Sequence, residues 1–432
     1  MPDFTLRLTA DEPITDHEAR SSFYWLPDPR SSFRGIPPTL HPLTAVPALN
    51  RDFIRVAATV LAADRSVRRA GGGSDWNQRR INLTVPVSDP HRWNEAAPEL
   101  AGVLAFLSGD HWTLTFHQDT PQPHTAQSDE PPAGHAPRRV VLLSGGADSA
   151  VGALRSRTEL EDGESHVLLS HFSNTMLPPI QRHVAEQAQD LTPGPGQDHI
   201  TIQLGRGRKR IDGTPYPSES TTRTRSLLFL ALGLAAAAPY RVPLWIPENG
   251  FASLNPPLGP ERLGSLSTRT THPRFLEDLS QTLAGIGVHA TIENPFATST
   301  KGEMFTWAAE LLGKEKASAY LSATHSCSLV GQWTHGFGAN RSCGVCFGCT
   351  LRRASFTASG IEDRTDYIDP GADDAAVAWL ANKSVRQPVR NLVQRGVTGR
   401  DVAVMSLPDT YPLRTALDLC RRGLAELETL PS

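Results

Sequence analysis

The chain has 432 residues, a formal net charge of −3 and five cysteines. It is too long for one compact core, and its near-neutral charge gives no general attraction to nucleic acid or to an anionic membrane. The amino terminus lacks the basic start and apolar core of a signal peptide, and no apolar run reaches the roughly 18 residues of a membrane span. We therefore expect a cytoplasmic protein without a membrane partner. We interpret the basic cluster "GRGRKR" at 205–210 as a solvated loop, so no nucleic-acid partner is expected.

Residues 1–117 carry the pattern of a small α/β domain. "DFIRVAATVLAADRSVRR" has the helical spacing of apolar residues, whereas "RRINLTVPV" and "HWTLTF" alternate as strands do. The next segment, 118–138, is rich in Pro, Gln, His and Ser, with almost nothing to bury. It predicts an exposed linker.

Residues 139–365 alternate short apolar runs with helical patterns. "VVLLS", "HVLLSHF", "HITIQL", "VPLWIP" and "VHATIE" predict strands, and "PIQRHVAEQAQDL", "TRSLLFLALGLAAAA" and "PRFLEDLSQTLAGIG" predict helices between them. Continuous apolar strands separated by helices indicate a Rossmann-like α/β fold, with a parallel sheet covered on both faces. Ligands of such sheets bind beyond the carboxyl ends of the strands. The last part, 366–432, predicts a helical appendage.

A glycine turn, "VVLLSGGADSAVGAL" at 140–154, joins a predicted strand to a predicted helix. Backbone N–H groups near such a turn converge on an anion at the helix N-terminus, and phosphate is the obvious candidate. Gly145 and Gly146 allow close approach, Ser144 and Ser149 offer hydroxyl donors, and Asp148 is suited to hold Mg²⁺ or to cap the helix. The other interpretation is an ordinary strand-to-helix turn with a capping Asp-Ser pair.

Four cysteines fall in one region, in "THSCS" and "SCGVCFGC". A C-x-x-C-x-x-C run with a fourth cysteine upstream supplies four soft ligands for a tetrahedral Zn²⁺. An iron–sulfur cluster and a redox-active pair remain alternatives. Cys420 lies in a helical pattern far away, where we expect a buried, small apolar residue. The predicted metal ligands are Cys327, Cys343, Cys346 and Cys349.

The turn "SGGADS" resembles the SGGxDS signature of the PP-loop ATP pyrophosphatases. The resemblance implies that Ser144, Gly145, Gly146, Asp148 and Ser149 bind ATP with Mg²⁺. It also implies a reaction in which a substrate oxygen attacks the α-phosphate and pyrophosphate leaves.

An ordered set of further motifs resembles the 7-cyano-7-deazaguanine synthases, the QueC family, over about residues 138–360. The set consists of the glycine turn, the cysteine run, "QRHVAEQA", "TRTRSLLFLALGLA", "NPFATSTKGEMF" and "CTLRRASF". Taken singly, each short piece also fits a solvated or structural role. The resemblance implies ATP-dependent adenylation of 7-carboxy-7-deazaguanine or a related carboxylate, followed by attack of an amine. Its candidate catalytic residues here are Asp148, Lys301, Arg225 and His183, with Arg352 in the C-x-L-R motif.

Departures from the family pattern leave the substrate open. His272 stands where the family has Arg, Ser226 follows Arg225 where it has Asn, and the domain in front and the helical tail are additions. The loop 248–273 suggests substrate contacts at Glu248, Asn249, Arg269 and His272, and a purely structural loop is the alternative. The additions resemble larger QatC-type proteins of anti-phage operons, which implies a partner protein from the same operon and a homo-oligomer or complex subunit. An ATP-binding component without turnover and a PP-loop thiolating enzyme are the competing functions.

Overall fold

The computed structural model describes residues 2–10, 13–35, 43, 45–69, 78–119, 136–173, 175–219, 222–256, 269–328, 341–369, 371 and 373–430. Parts of three predicted segments lie outside these ranges: the linker, the loop 248–273 and the interval between Cys327 and Cys343. The structure describes no helix in these ranges that is long and apolar enough to cross a membrane. A cytoplasmic location stays a prediction.

The first 117 residues contain a four-stranded parallel sheet in the order β2-β1-β4-β5. The predicted strand at 111–116 alternates buried and exposed residues, as expected for a sheet with one covered face. The predicted helix over 52–69 corresponds to α2, which begins four residues earlier and ends at Ser66, and its nearly continuous burial reflects packing on more than one side. The elements are β1 Asp3–Arg7, α1 Asp16–Ser21, β2 Ser22–Tyr24, β3 Phe33–Arg34, α2 Ala48–Ser66, β4 Arg80–Val87, α3 Pro90–Glu95, α4 Ala97–Ser108 and β5 His111–Gln118.

The second sheet confirms the predicted Rossmann-like arrangement. Its order is β11-β10-β6-β7-β8 and every pairing is parallel. The chain begins this sheet at its centre with β6 and adds strands on one side and then on the other, so the switch point lies at the end of β6. The elements are β6 Val140–Leu142, α5 Ala147–Thr158, β7 Ser165–Phe172, α6 Leu177–Leu191, β8 Gly196–Gln203, β9 Gly205–Arg206, α7 Arg225–Ala237, β10 Leu244–Trp245, α8 Gly250–Leu254, α9 Pro273–Ile286, β11 Ile292–Glu293, α10 Lys301–Leu312 and α11 Lys314–Ser322.

The two sheets share one apolar cluster. It runs from Phe4 and Leu83 through α2 to Leu230 on α7 and Leu283 on α9. A short antiparallel ribbon of β3 and β9 also joins the regions. The predicted domain boundary at residue 117 therefore stays a prediction, because one apolar cluster continues across it.

The carboxyl-terminal part is helical, as predicted. A separate apolar cluster joins α16 to α12 and to α8. Cys420 is fully buried in this cluster, which confirms it as a small apolar residue of the core. The helices are α12 Phe347–Ser359, α13 Asp374–Lys383, α14 Arg386–Arg395, α15 Gly399–Ala403 and α16 Leu413–Glu428.

Candidate active site

The glycine turn lies at the switch point, between β6 and α5. Gly145 has a φ of 86°, which favours glycine, and a Cβ there would lie 3.3 Å from Cγ of Gln181. Gly146 is the N-cap of α5 and brings no capping side chain. The Ser144 and Ser149 hydroxyls lie 3.0 Å apart and close the turn across its base. The start of α5 is thus an open helix N-terminus of the kind that binds anions.

A buried ion pair lies directly beneath the turn. The Nζ of Lys301, the first residue of α10, is 2.6 Å from Oδ1 of Asp148. Burial is the largest single influence and would raise the pKa of Asp148, but the Lys301 charge and the hydrogen bonds from Glu248, Lys301 and Asn249 together outweigh it and hold that pKa well below its ordinary value. Asn249 Nδ2 donates to Asp148 Oδ2 at 2.7 Å and to Glu248 Oε1 at 2.9 Å. Burial and the nearby Asp148 charge raise the pKa of Glu248 well above its ordinary value.

The turn and the ion pair open into one cavity of about 450 Å³. That volume lies in the usual range for small-molecule sites. Arg225, the exposed first residue of α7, lies on one wall, and the cysteine region forms another. The structure therefore brings together most of the predicted site residues. Those that line the cavity are Ser144, Gly146, Asp148, Ser149, Arg225, Lys301, Cys327, Glu248 and Asn249.

Three candidates lie elsewhere. His183 is exposed on α6 and is not among the residues that line the cavity. His272 is buried as the N-cap of α9, where its Nδ1 accepts from the Arg274 backbone at 3.2 Å, and it is not among the residues that line the cavity. The Arg269 guanidinium lies over the Phe106 ring, 4.3 Å from its centroid, and donates to the Phe106 carbonyl oxygen at 3.1 Å, so it links this segment to α4.

The four clustered cysteines surround a single point. Their sulfur atoms all lie within 4.8 Å of one another, with Cys343 and Cys349 at 3.8 Å and Cys346 and Cys327 at 4.0 Å. These separations are far longer than the roughly 2 Å of a disulfide. Four sulfurs 2.3 Å from a tetrahedral Zn²⁺ would be about 3.8 Å apart. The group therefore fits one tetrahedral ion.

Sequence reasoning missed a segment that joins the cysteines to the turn. The His325 backbone N–H donates to the Gly145 carbonyl at 2.8 Å, and the Ser326 hydroxyl accepts from the Ala147 amide at 3.5 Å. Arg352 is fully buried and holds this segment through Thr324 Oγ1 at 2.7 Å. The short motif "THSCS" at 324–328, which contains Cys327, was the available signal. The sequence alone does not show that this motif contacts the glycine turn at 145–147.

No family model matches the chain. Curated proteins from three bacteria illustrate the similarity, and all three are named 7-cyano-7-deazaguanine synthase. The protein of Novosphingobium aromaticivorans is 28% identical over 257 residues, which is 55% of this chain and 97% of that protein. That of Cupriavidus necator is 30% identical over 250 residues, which is 53% of this chain and 97% of that protein. That of Ralstonia pickettii is 28% identical over 251 residues, which is 54% of this chain and 99% of that protein.

The parallel sheet, the glycine turn at its switch point and the adjoining cavity define a Rossmann-like α/β protein of the PP-loop type. The similarity extends over nearly the whole length of the relatives. The chain belongs to the 7-cyano-7-deazaguanine synthase family. Almost half of the chain lies outside the matched part, since the match covers 55% of it.

Proposed function

We propose that the chain is an ATP-dependent synthase that adenylates 7-carboxy-7-deazaguanine or a closely related carboxylate and then transfers the acyl group to an amine. The observation that carries the proposal is the buried Asp148–Lys301 pair beneath the open N-terminus of α5, in a cavity of small-molecule size. Family membership supports the same substrate class.

Each cationic group has a role in the first half-reaction. A carboxylate oxygen attacks the α-phosphorus of ATP, the bond to the bridging oxygen breaks, and pyrophosphate leaves with the negative charge. The turn at Gly145 and Gly146 binds the departing phosphates, while Lys301 and Arg225 stabilise the charge that develops on them. In the second half-reaction a neutral amine attacks the acyl carbon and AMP leaves with the oxygen that attacked.

A divalent cation fits the donor set beside the phosphates. Asp148 and Glu248 present two carboxyl groups to one amide of Asn249, and Mg²⁺ prefers such oxygen ligands together with substrate phosphates. These two residues would hold the ion, which supplies charge neutralisation on the phosphates when it is bound.

Zinc is the ion we propose for the four cysteines. With all four positions supplied by sulfur, such a site is structural and closed to substrate. Zinc at this site also counts against the thiolating alternative, because a thiolating enzyme needs an accessible cysteine to carry sulfur. The chain has five cysteines, four of them would bind zinc, and all five are buried. A single ion at these sulfur separations likewise fits better than an iron–sulfur cluster of several metal atoms.

The acceptor amine and the biological setting are the finer parts of the proposal. Ammonia would give the amide, and a second activation would give the nitrile. The two regions outside the family motifs, residues 1–117 and the helical tail 366–432, support a larger role, in which the amine belongs to a partner protein of an anti-phage operon and the chain works as a homo-oligomer or complex subunit.

Carboxylate-dependent pyrophosphate exchange tests the proposal. The purified protein is given ATP, Mg²⁺ and labelled pyrophosphate, with and without 7-carboxy-7-deazaguanine, and the label that enters ATP is counted. We expect exchange only with the carboxylate, a loss of at least about 100-fold in Asp148→Asn, and no change in the exposed-site control Asp162→Asn. ATP binding without exchange under every condition would contradict the proposal and favour a component that binds ATP without turnover.

A further inference from the structure

A buried carboxylate from the first region caps the helix that carries Arg225. Asp64, near the end of α2, has no exposed surface. Its Oδ2 accepts from the Arg223 amide at 2.8 Å, the Thr224 amide at 3.0 Å and the Thr224 hydroxyl at 2.9 Å. Thr224 is the N-cap of α7, and its own side chain makes no capping bond. The cap of α7 therefore comes from about 160 residues earlier in the chain.

A second buried carboxylate, from the helical tail, contacts the start of α10, where Thr300 and Glu303 also form a capping box. Glu426 on α16 accepts from the Gly302 amide at 2.9 Å and from the Thr300 hydroxyl. These two residues flank Lys301. A Cβ at position 302 would lie 2.5 Å from Glu426 Oε1, so the carboxylate is packed against the helix backbone. Burial raises the pKa of Glu426.

We propose that Asp64 and Glu426 are positioning residues that hold Arg225 and Lys301 at the cavity, one from each region outside the family motifs. The proposal rests on the function proposed above. It assigns a task to both additions: each inserts a carboxylate at the N-terminus of a helix whose first residue is a site cation. A carboxylate stabilises such an end through the free N–H groups and the helix dipole.

The energetic cost of these carboxylates favours positioning over simple packing. Taking a carboxylate out of water is expensive, and a well-packed apolar side chain often gives equal or greater stability. At a reacting centre, however, a misplacement of about 1 Å can cost about 100-fold in rate. Two buried carboxylates at the first turns of α7 and α10 meet that geometric need.

The first test compares Asp64→Asn with Asp110→Asn. Both carboxylates bond the Arg79 guanidinium in one buried network, but Asp110 makes none of the contacts that Asp64 makes with α7. Amide hydrogen exchange at 223–226 should accelerate at least about 10-fold in Asp64→Asn and remain near wild type in Asp110→Asn. Exchange at 301–303 should not change in either variant.

The tail is tested by Glu426→Gln against Leu427→Ala, its buried neighbour on α16. Exchange at 301–303 should accelerate only in Glu426→Gln. In pyrophosphate exchange, Asp64→Asn and Glu426→Gln should each lower kcat about 10-fold and leave KM for ATP within about twofold, because the two cations act on charge that develops in the transition state.

The outcomes separate this inference from the proposed function. If no variant and no wild-type protein shows pyrophosphate exchange, the proposed function fails, and amide exchange still decides whether the carboxylates fix the two helix starts. Equal acceleration in Asp64→Asn and Asp110→Asn, or in Glu426→Gln and Leu427→Ala, would overturn the positioning role. Local acceleration with unchanged kcat would overturn it as well.

Discussion

Replacing Lys301 by Met should leave a buried carboxylate without its cation. At the 2.6 Å separation of Lys301 Nζ and Asp148 Oδ1, two unit charges attract by about 6 kcal/mol if the effective dielectric constant is about 20. The unpaired Asp148 carboxylate can instead take up a proton, which costs about 1.4 kcal/mol for each pH unit above about 3.9 and so limits the destabilisation. The free energy of unfolding should therefore fall by about 4 kcal/mol at pH 7 and by roughly 1.5 kcal/mol at pH 5.

The pH dependence comes from the variant. In the wild type the lowered pKa of Asp148 keeps this carboxylate ionised in the folded chain, and it is ionised in the unfolded chain as well, so it adds no pH dependence between pH 5 and 7; its contribution is lost only at lower pH, as the pH falls through the folded pKa. In Lys301→Met, burial favours the protonated carboxyl in the folded chain only, so the stability of the variant rises as the pH falls from 7 to 5. Urea unfolding at both pH values measures the effect. The exposed Lys316→Met is the control, with an expected change within about 0.5 kcal/mol. A Lys301→Met protein as stable as wild type at pH 7, or a double-mutant cycle with Asp148→Asn that is additive, would refute the reasoning.

Three further predictions concern the metal, the buried histidines and one glycine. Zinc analysis should find about one ion per chain in the wild type and much less in Cys349→Ser, and equal metal content would contradict the site. Burial lowers the pKa of His166 and His171 to about 4. The free energy of unfolding should therefore fall as the pH drops from about 6.5 to 4, by up to about 3 kcal/mol for each histidine. A free energy of unfolding from urea titrations that does not change across this pH range would contradict the prediction. A Cβ on Gly348 would lie 2.3 Å from the Ser326 carbonyl oxygen, so Gly348→Ala should lower the melting temperature, whereas Gly285→Ala, with open space on α9, should keep or raise it.

Local patterns were sufficient for the second sheet and the glycine turn. Apolar strands separated by amphipathic helices predicted the parallel arrangement, and the spacing of the cysteines predicted a group that the structure gathers around one point. The run at 288–293 predicted a longer strand than the two residues that pair, Ile292 and Glu293. Hydrophobic alternation alone does not determine how many residues find a neighbour at the edge of a sheet.

Local sequence patterns could not predict contacts between segments that are far apart in the chain. In the sequence, Asp64 is one of two aspartates in α2, and Glu426 is one of three acids on α16. Their partners lie 160 and 124 residues away. His272 and Arg269 looked like loop residues of a binding site because composition marks a loop but does not show what the loop packs against. Only the tertiary structure shows that the first is a helix cap and that the second stacks on Phe106.

The path of one oxygen atom tests the central claim most directly. 7-Carboxy-7-deazaguanine labelled with ¹⁸O in its carboxylate is incubated with ATP, Mg²⁺, an ammonium salt and the protein, and the AMP is examined by mass spectrometry. Attack of the carboxylate on the α-phosphorus predicts one ¹⁸O in each AMP that accompanies an acyl product. AMP without ¹⁸O would show that water or another nucleophile attacks the phosphorus, and it would contradict the adenylation account.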